Sequence, residues 1–360
     1  MYFSFKEAVN DILQLPKASL TSRMDVSSWK LGGARMKDYI KDSMFLNEAA
    51  IEFGNENIEA ILIPALGSNL LSLTFKKKRI ELLRTPKTLD DYKKVPILYG
   101  MPILFPPNRI EDGIFTYKET TYRFPINERE KHNHIHGFLH DKPWKVVKKE
   151  VRKEGVVITT EFVSSDFPPL YQYFPRDFKV NMTYSLQEKT LAVRMDIHNI
   201  GRKSFPWGAG YHTIFNFPFV TESTYMDCEF DLPVNKQWEL NERSLPTGKF
   251  TRLTNKDAIQ KGLLEEGREY DDIFSYDEEN SPINEAILTD SNAGIQVRYQ
   301  ADQHFKYWVL FNEAGFLCPE PYTWMTNAPN IEISAGITGL QELLPGGTIQ
   351  LNTKLILKEL

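Results

Sequence analysis

Cysteine is scarce in this chain. Cys228 and Cys318 are the only two among 360 residues, which excludes a disulfide framework and leaves at most one bridge. A reducing, cytoplasmic setting is the simpler expectation. A basic excess is also missing: 43 Lys and Arg stand against 48 Asp and Glu, a formal net charge of -5. A nucleic-acid surface would show the opposite balance, so no nucleic-acid partner is expected. No run approaches the roughly 18 apolar residues of a membrane span. The opening MYFSFKEAVNDILQL has neither the basic stretch nor the apolar run of a signal peptide. Linkers rich in Gly, Ser or Pro are absent, as is any repeat of fixed period, which weighs against a propeller or solenoid.

What is present is the text of strands. Hydrophobic residues make up 41% of the chain, enough for a sizeable core without staples. IEFGNENIEAILIPALGSNLLSLTF holds three apolar runs broken at Gly54-Asn55 and at Gly67-Ser68-Asn69. WKVVKKEVRKEGVVITTEF reads as a hairpin turning near Glu154-Gly155. In FKVNMTYSLQEKTLAVRMDIHNI, Val180, Met182, Tyr184 and Leu186 share one face. Leu191, Val193, Met195 and Ile197 repeat the pattern after a turn. EAILTDSNAGIQVRYQ is a further hairpin, and LNTKLILKEL a last strand. Strands at hairpin spacing with few helical periods imply an all-β chain of antiparallel sheets packed face to face. Residues 5–14 carry a helical period at Val9, Ile12 and Leu13. Residues 1–35 are accordingly expected to be an N-terminal appendage with a short helix, and residues 36–360 a single β-sandwich catalytic domain.

Five stretches could carry chemistry, and each has a bland reading. KHNHIHGFLHD alternates His132, His134 and His136, with His140 beyond. It reads as a metal site, as a sugar or acid/base site using one histidine, or as solvated polar residues. His212 in FPWGAGYHTIFNF follows Gly208 and Gly210, which suggest close backbone approach. Alone it would be a core histidine. Glu320 lies between Pro319 and Pro321 in FLCPEPYTWM, an extended and stiff setting, expected as a loop. Arg109 follows Pro106-Pro107-Asn108, and a planar guanidinium clamps hydroxyls or anions well. Asp271 and Asp272 precede Ile273-Phe274, where turn or cap roles are usual.

Taken in order, these stretches resemble the galactose mutarotase (aldose 1-epimerase) family. The likeness rests on Asn108-Arg109-Ile110, Asn133-His134-Ile135-His136-Gly137, Gly210-Tyr211-His212-Thr213-Ile214-Phe215, Asp271-Asp272-Ile273-Phe274, Glu320-Pro321 and the closing ELLPGGTIQL. It spans about Glu52 to the C-terminus. The resemblance implies a large antiparallel β-sandwich, the galactose mutarotase-like supersandwich. It further implies Glu320 as general base, His212 as general acid, and His136, Arg109 and Asp271 as sugar-binding residues, with no cofactor and no metal. Asp272 stays open as an alternative to Asp271. The implied partner is a small sugar, and the implied assembly a monomer or homodimer. Gly137-Phe138-Leu139-His140 and the residues after Glu320 depart from the usual pattern, so the sugar could be a hexose, a pentose or a sugar phosphate. The only tight basic run, Lys76-Lys77-Lys78-Arg79, reads as a solvated strand end. Two rivals stand beside this reading. One is a metal-dependent cupin-type β-barrel using His134 and His136. The other is a non-catalytic carbohydrate-binding protein on the same sandwich, with Trp144, Trp207, Trp308 and Trp324 as stacking faces.

Overall fold

The computed structural model describes residues 38–253, 269–313 and 315–360. The expected N-terminal appendage, its short helix and a domain start at Met36 lie outside them. Strands dominate, and among the described residues the strands pair antiparallel, with one isolated parallel bridge between Phe105 and Gly137. The three apolar runs after Ala50 become Glu48–Gly54, Ile58–Ile63 and Asn69–Phe75, part of a five-stranded sheet with Tyr39–Phe45 and Ile80–Glu81. The basic run 76–79 forms the turn between the last two of these strands, and Lys77 there pairs with Glu359.

An eight-stranded sheet runs in the order Lys145–Arg152, Gly155–Val163, Phe178–Gln187, Thr190–Asn199, Thr348–Glu359, Ile295–Ala301, Glu285–Asp290 and Cys228–Asp231. Its alternation is the one written in the sequence. Val180, Met182, Tyr184 and Leu186 are buried and pair with Ile197, Met195, Val193 and Leu191. Lys145–Arg152 is the edge strand, and its four cations guard an otherwise open row of backbone groups.

The third sheet is the one that matters for function. Its order is Pro246–Arg252, Val234–Leu240, Asp271–Tyr276, Tyr307–Glu313, Phe316–Tyr322, Gly210–Tyr211 and Ile103–Leu104, with Phe215–Asn216 also paired to Phe316–Tyr322. One buried apolar cluster runs through all three sheets, from Phe53 and Leu62 through Val180 and Leu355 to Tyr211 and Trp308. Helix is confined to Leu89–Lys94, Ala335–Thr338 and short 3-10 turns among the described residues. No helix there is long and apolar enough to cross a membrane. Both cysteines are buried and unbridged.

Candidate active site

Glu320 sits inside the strand Phe316–Tyr322, where a Pro-Glu-Pro loop was expected. The reason that a strand tolerates two prolines lies in its pairing. Tyr322 accepts from Lys306 on one side, while Thr323 donates to Ala209 on the other. Residues alternate between the two neighbours, so Pro319 and Pro321 share the Thr323 side. On that side the neighbouring chain is paired only at Gly210 and again at Phe215 and Asn216. The missing N–H groups therefore fall where the ladder is already open. His212 lies in that opening. Its own N–H donates to the Pro102 carbonyl at 3.0 Å.

Gly210 makes the approach possible. A Cβ there would stand 2.4 Å from the Tyr322 ring and 2.8 Å from the Pro321 carbonyl oxygen. His212 Nε2 thereby comes within 3.4 Å of Glu320 Oε1. Both side chains are almost wholly buried. The Tyr322 hydroxyl donates to the other carboxylate oxygen, Oε2. Burial pushes the Glu320 carboxyl well above the usual carboxylate range, with Asp271 adding to the rise and the Tyr322 hydroxyl and Arg109 opposing it. Burial likewise pushes the His212 imidazole down to about 3.

Arg109 and His136 arrive on a small two-stranded sheet, Arg109–Glu111 with Asn133–Ile135, in which Ile135 pairs with Arg109. His136 follows in the left-handed region, at φ 65°, and donates its N–H to the Asn108 carbonyl. Asn108 and Asn327 are left-handed too, and Asn327 donates to the Arg109 carbonyl. Three such residues around one arginine mark a backbone held in place by its surroundings. The His136 ring meets the His212 ring edge-on at 5.2 Å. Nδ1 of both rings is buried without a hydrogen-bond partner.

The Arg109 guanidinium is fixed by Glu128, whose two oxygens accept from Nε at 3.0 Å, and by Asp271 Oδ2 at 3.3 Å from Nη2. Asp271 keeps 43% of its side chain exposed and so marks the mouth of the site. Asp272 points to the other face of its strand and accepts from Gln237. Between the two acids, Asp271 is the one beside Arg109.

The alternating histidines do not share a face. Only residues 133–135 are strand, and His132 and His136 both have positive φ. His132 is exposed beside Asp112, and His134 bonds the Pro125 carbonyl and stacks on Phe124. Of these three, His136 is the one whose ring meets His212. Among the described residues, no three His, Cys, Asp or Glu side chains converge as a metal-binding group.

A family model described as aldose 1-epimerase matches residues 49–355. The chain belongs to the aldose 1-epimerase family. A galactose mutarotase-like protein from Clostridium acetobutylicum is 30% identical, with a TM-score of 0.85 over 90% of this chain and 99% of its own. A galactose 1-epimerase from Lactobacillus acidophilus shares the fold at 15% identity, with a TM-score of 0.70 over 90% of this chain and 99% of its own. The uncharacterized protein YihR of Escherichia coli is 29% identical over 187 residues, 51% of this chain and 55% of its own length. The chain thus spans about half the length of the curated relatives it matches.

Within this aldose 1-epimerase family member, two side chains at the site escaped the sequence reading. Tyr322 lies two residues beyond Glu320, the spacing that shares a strand face. Taking the Pro-Glu-Pro stretch as a loop hid that signal. Glu128 lies 19 residues from Arg109, and nothing local in the sequence links the two.

Proposed function

We propose that this protein interconverts the α and β anomers of an aldose, with Glu320 as general base and His212 as general acid. The observation that carries the reading is the 3.4 Å approach of His212 Nε2 to Glu320 Oε1 in a buried setting. The anomeric hydroxyl and the ring oxygen hang on the same carbon, so one acid and one base serving both must stand close together. Glu320 takes the proton from the anomeric hydroxyl. The freed electron pair forms the aldehyde carbonyl as the bond from C1 to the ring oxygen breaks. His212 delivers its proton to that ring oxygen. Rotation about C1–C2 and the reverse steps close the ring on the other face.

The proton count fits this cycle. Burial raises Glu320 and lowers His212, so the free pair holds one proton across a wide pH range. Carboxylate with imidazolium carries the same single proton as carboxylic acid with imidazole. Sugar hydroxyls donating to Glu320 favour the charged arrangement, which is the reactive one. Arg109, His136 and Asp271 ring the pair and are assigned to hold the sugar. The unpartnered Nδ1 of His136 is a polar group that a sugar hydroxyl can satisfy.

The test is anomer exchange by NMR on a panel of free aldoses, with Glu320→Gln alongside. Each positioned acid or base contributes roughly 10²–10⁴-fold. The variant should lose exchange to about that extent while still binding sugar. Near-normal turnover in Glu320→Gln would remove Glu320 from the mechanism. Binding of several sugars with exchange of none would support a binding protein instead.

A further inference from the structure

We infer that the site carries an anion subsite at Arg84, and that the preferred aldose bears a carboxylate at the end remote from its anomeric carbon. The inference rests on the anomer-exchange reading above. It begins from an arginine used by none of the chemistry described so far. The Arg84 guanidinium stands between two aromatic rings, 5.0 Å from the Tyr99 centroid and 4.5 Å from the Phe316 centroid. Its Nη1 is buried and has no hydrogen-bond partner. Stacked rings hold a guanidinium by its faces and leave its N–H edges unused. Arg84 as a whole is half-buried, and a buried N–H with no acceptor on such a cation is the kind of group that an entering ligand anion satisfies.

The position of Arg84 joins it to the catalytic pair. The Arg84 N–H donates to the Ile214 carbonyl, and Ile214 lies two residues from His212. Ile214 packs with Phe316 and Cys318, and Cys318 lies two residues from Glu320 on the same strand face. A chain of rings makes the same link: His212 to Phe311 at 6.2 Å, Phe311 to Phe316 at 5.9 Å, then Arg84 over Phe316. Glu313 lies opposite Phe316 on the neighbouring strand Tyr307–Glu313 but does not bond Nη1. Phe316, on which Arg84 lies, is four residues from Glu320 along the strand, a span of roughly 13 Å, about that of a pyranose acid with a hydrogen bond at each end. A pyranose with its anomeric carbon at the pair would extend its far substituent toward Arg84.

One guanidinium matches one planar, singly charged carboxylate through two parallel hydrogen bonds. A phosphate dianion would call for a second cation, and among the described residues Arg84 is the one cation that lies over these two rings.

The experiment compares anomer exchange, corrected for the uncatalysed rate, for glucuronate against glucose, galacturonate against galactose, and glucose 6-phosphate as a separate arm. The quantity read is the ratio of kcat/KM for the acid sugar to that for its neutral counterpart. This ratio does not depend on the fraction of folded enzyme. In the unaltered protein it should exceed about tenfold. In Arg84→Met it should fall by at least roughly tenfold, with Arg84→Lys between, since lysine keeps the charge without the fork. A ratio of one or less in the unaltered protein, or a ratio unmoved by Arg84→Met, overturns the inference. Preference for the phosphate over both carboxylates overturns the choice of carboxylate. Exchange of neutral sugars without any such ratio leaves the proposed function standing and removes only the subsite. Exchange of no sugar removes both.

Discussion

Glu320 and His212 owe their unusual proton affinities to the same cause, the exclusion of water from both. The directions are opposite because burial penalises whichever form is charged. The free pair therefore gains a second proton only near pH 3 and loses its only proton only well above the usual carboxylate range. The rate of anomer exchange, as kcat/KM, should be bell-shaped with a broad plateau between those limits. Tyr322 supplies a check on the assignment. Its hydroxyl donates to Glu320 Oε2 and pulls the carboxyl down against the effect of burial. Removing it in Tyr322→Phe raises the Glu320 pKa further, so the alkaline limb should move to higher pH while the acid limb stays. A limb that moves down, or does not move, would mean that Glu320 does not set it.

At the scale of elements, the site depends on backbone that only particular residues can form. Gly137 has φ +69°, and a Cβ there would lie 2.1 Å from the Phe105 carbonyl oxygen, an immovable backbone atom. Gly137→Ala should cost roughly 3 kcal/mol or more and displace His136 beside it. Gly346 is the control: its φ is +73° but nothing lies within 4 Å of the added carbon. Gly346→Ala should cost only about 1–2 kcal/mol. Denaturant unfolding of the two variants measures the difference, and equal losses would contradict the steric account. The hairpins were legible in the sequence because period-two alternation is local: Tyr184 and Val193 face the core for reasons visible within ten residues. The glycines before His212 were legible for a similar reason, as a sign of close approach. The histidine cluster misled because alternation implies a shared face only on a continuous strand, and positive φ at His132 and His136 ends the strand at both sides. The pairing of Glu128 with Arg109 and the placing of Arg84 beside Phe316 were not legible, since each is set by how distant strands pack.

Across the whole molecule, the histidines tie stability to pH. His134 and His136 are buried and His140 is half-buried, and burial lowers all three, His134 to about 4. The unfolded chain takes up a proton at each near pH 6.5, and the folded chain does so only at lower pH. The unfolded state thus binds more protons below that pH, and stability falls as pH drops. The Glu320–His212 pair adds little to this slope. Folded, it holds one proton; unfolded at pH 5.5, it also holds one, on the histidine. Glu81 works against the trend, because burial raises its carboxyl and the folded state keeps its proton above the ordinary range. Each proton that only the unfolded chain binds contributes about 1.4 kcal/mol per pH unit. Unfolding free energy, taken from denaturant titrations between pH 7 and pH 5, should therefore fall as the pH is lowered, most steeply near the lower end. His134→Gln removes one of these groups and should flatten the slope by about one proton. A flat stability curve over this range would show that the buried histidines take up protons without unfolding, and the account of their burial would have to be abandoned.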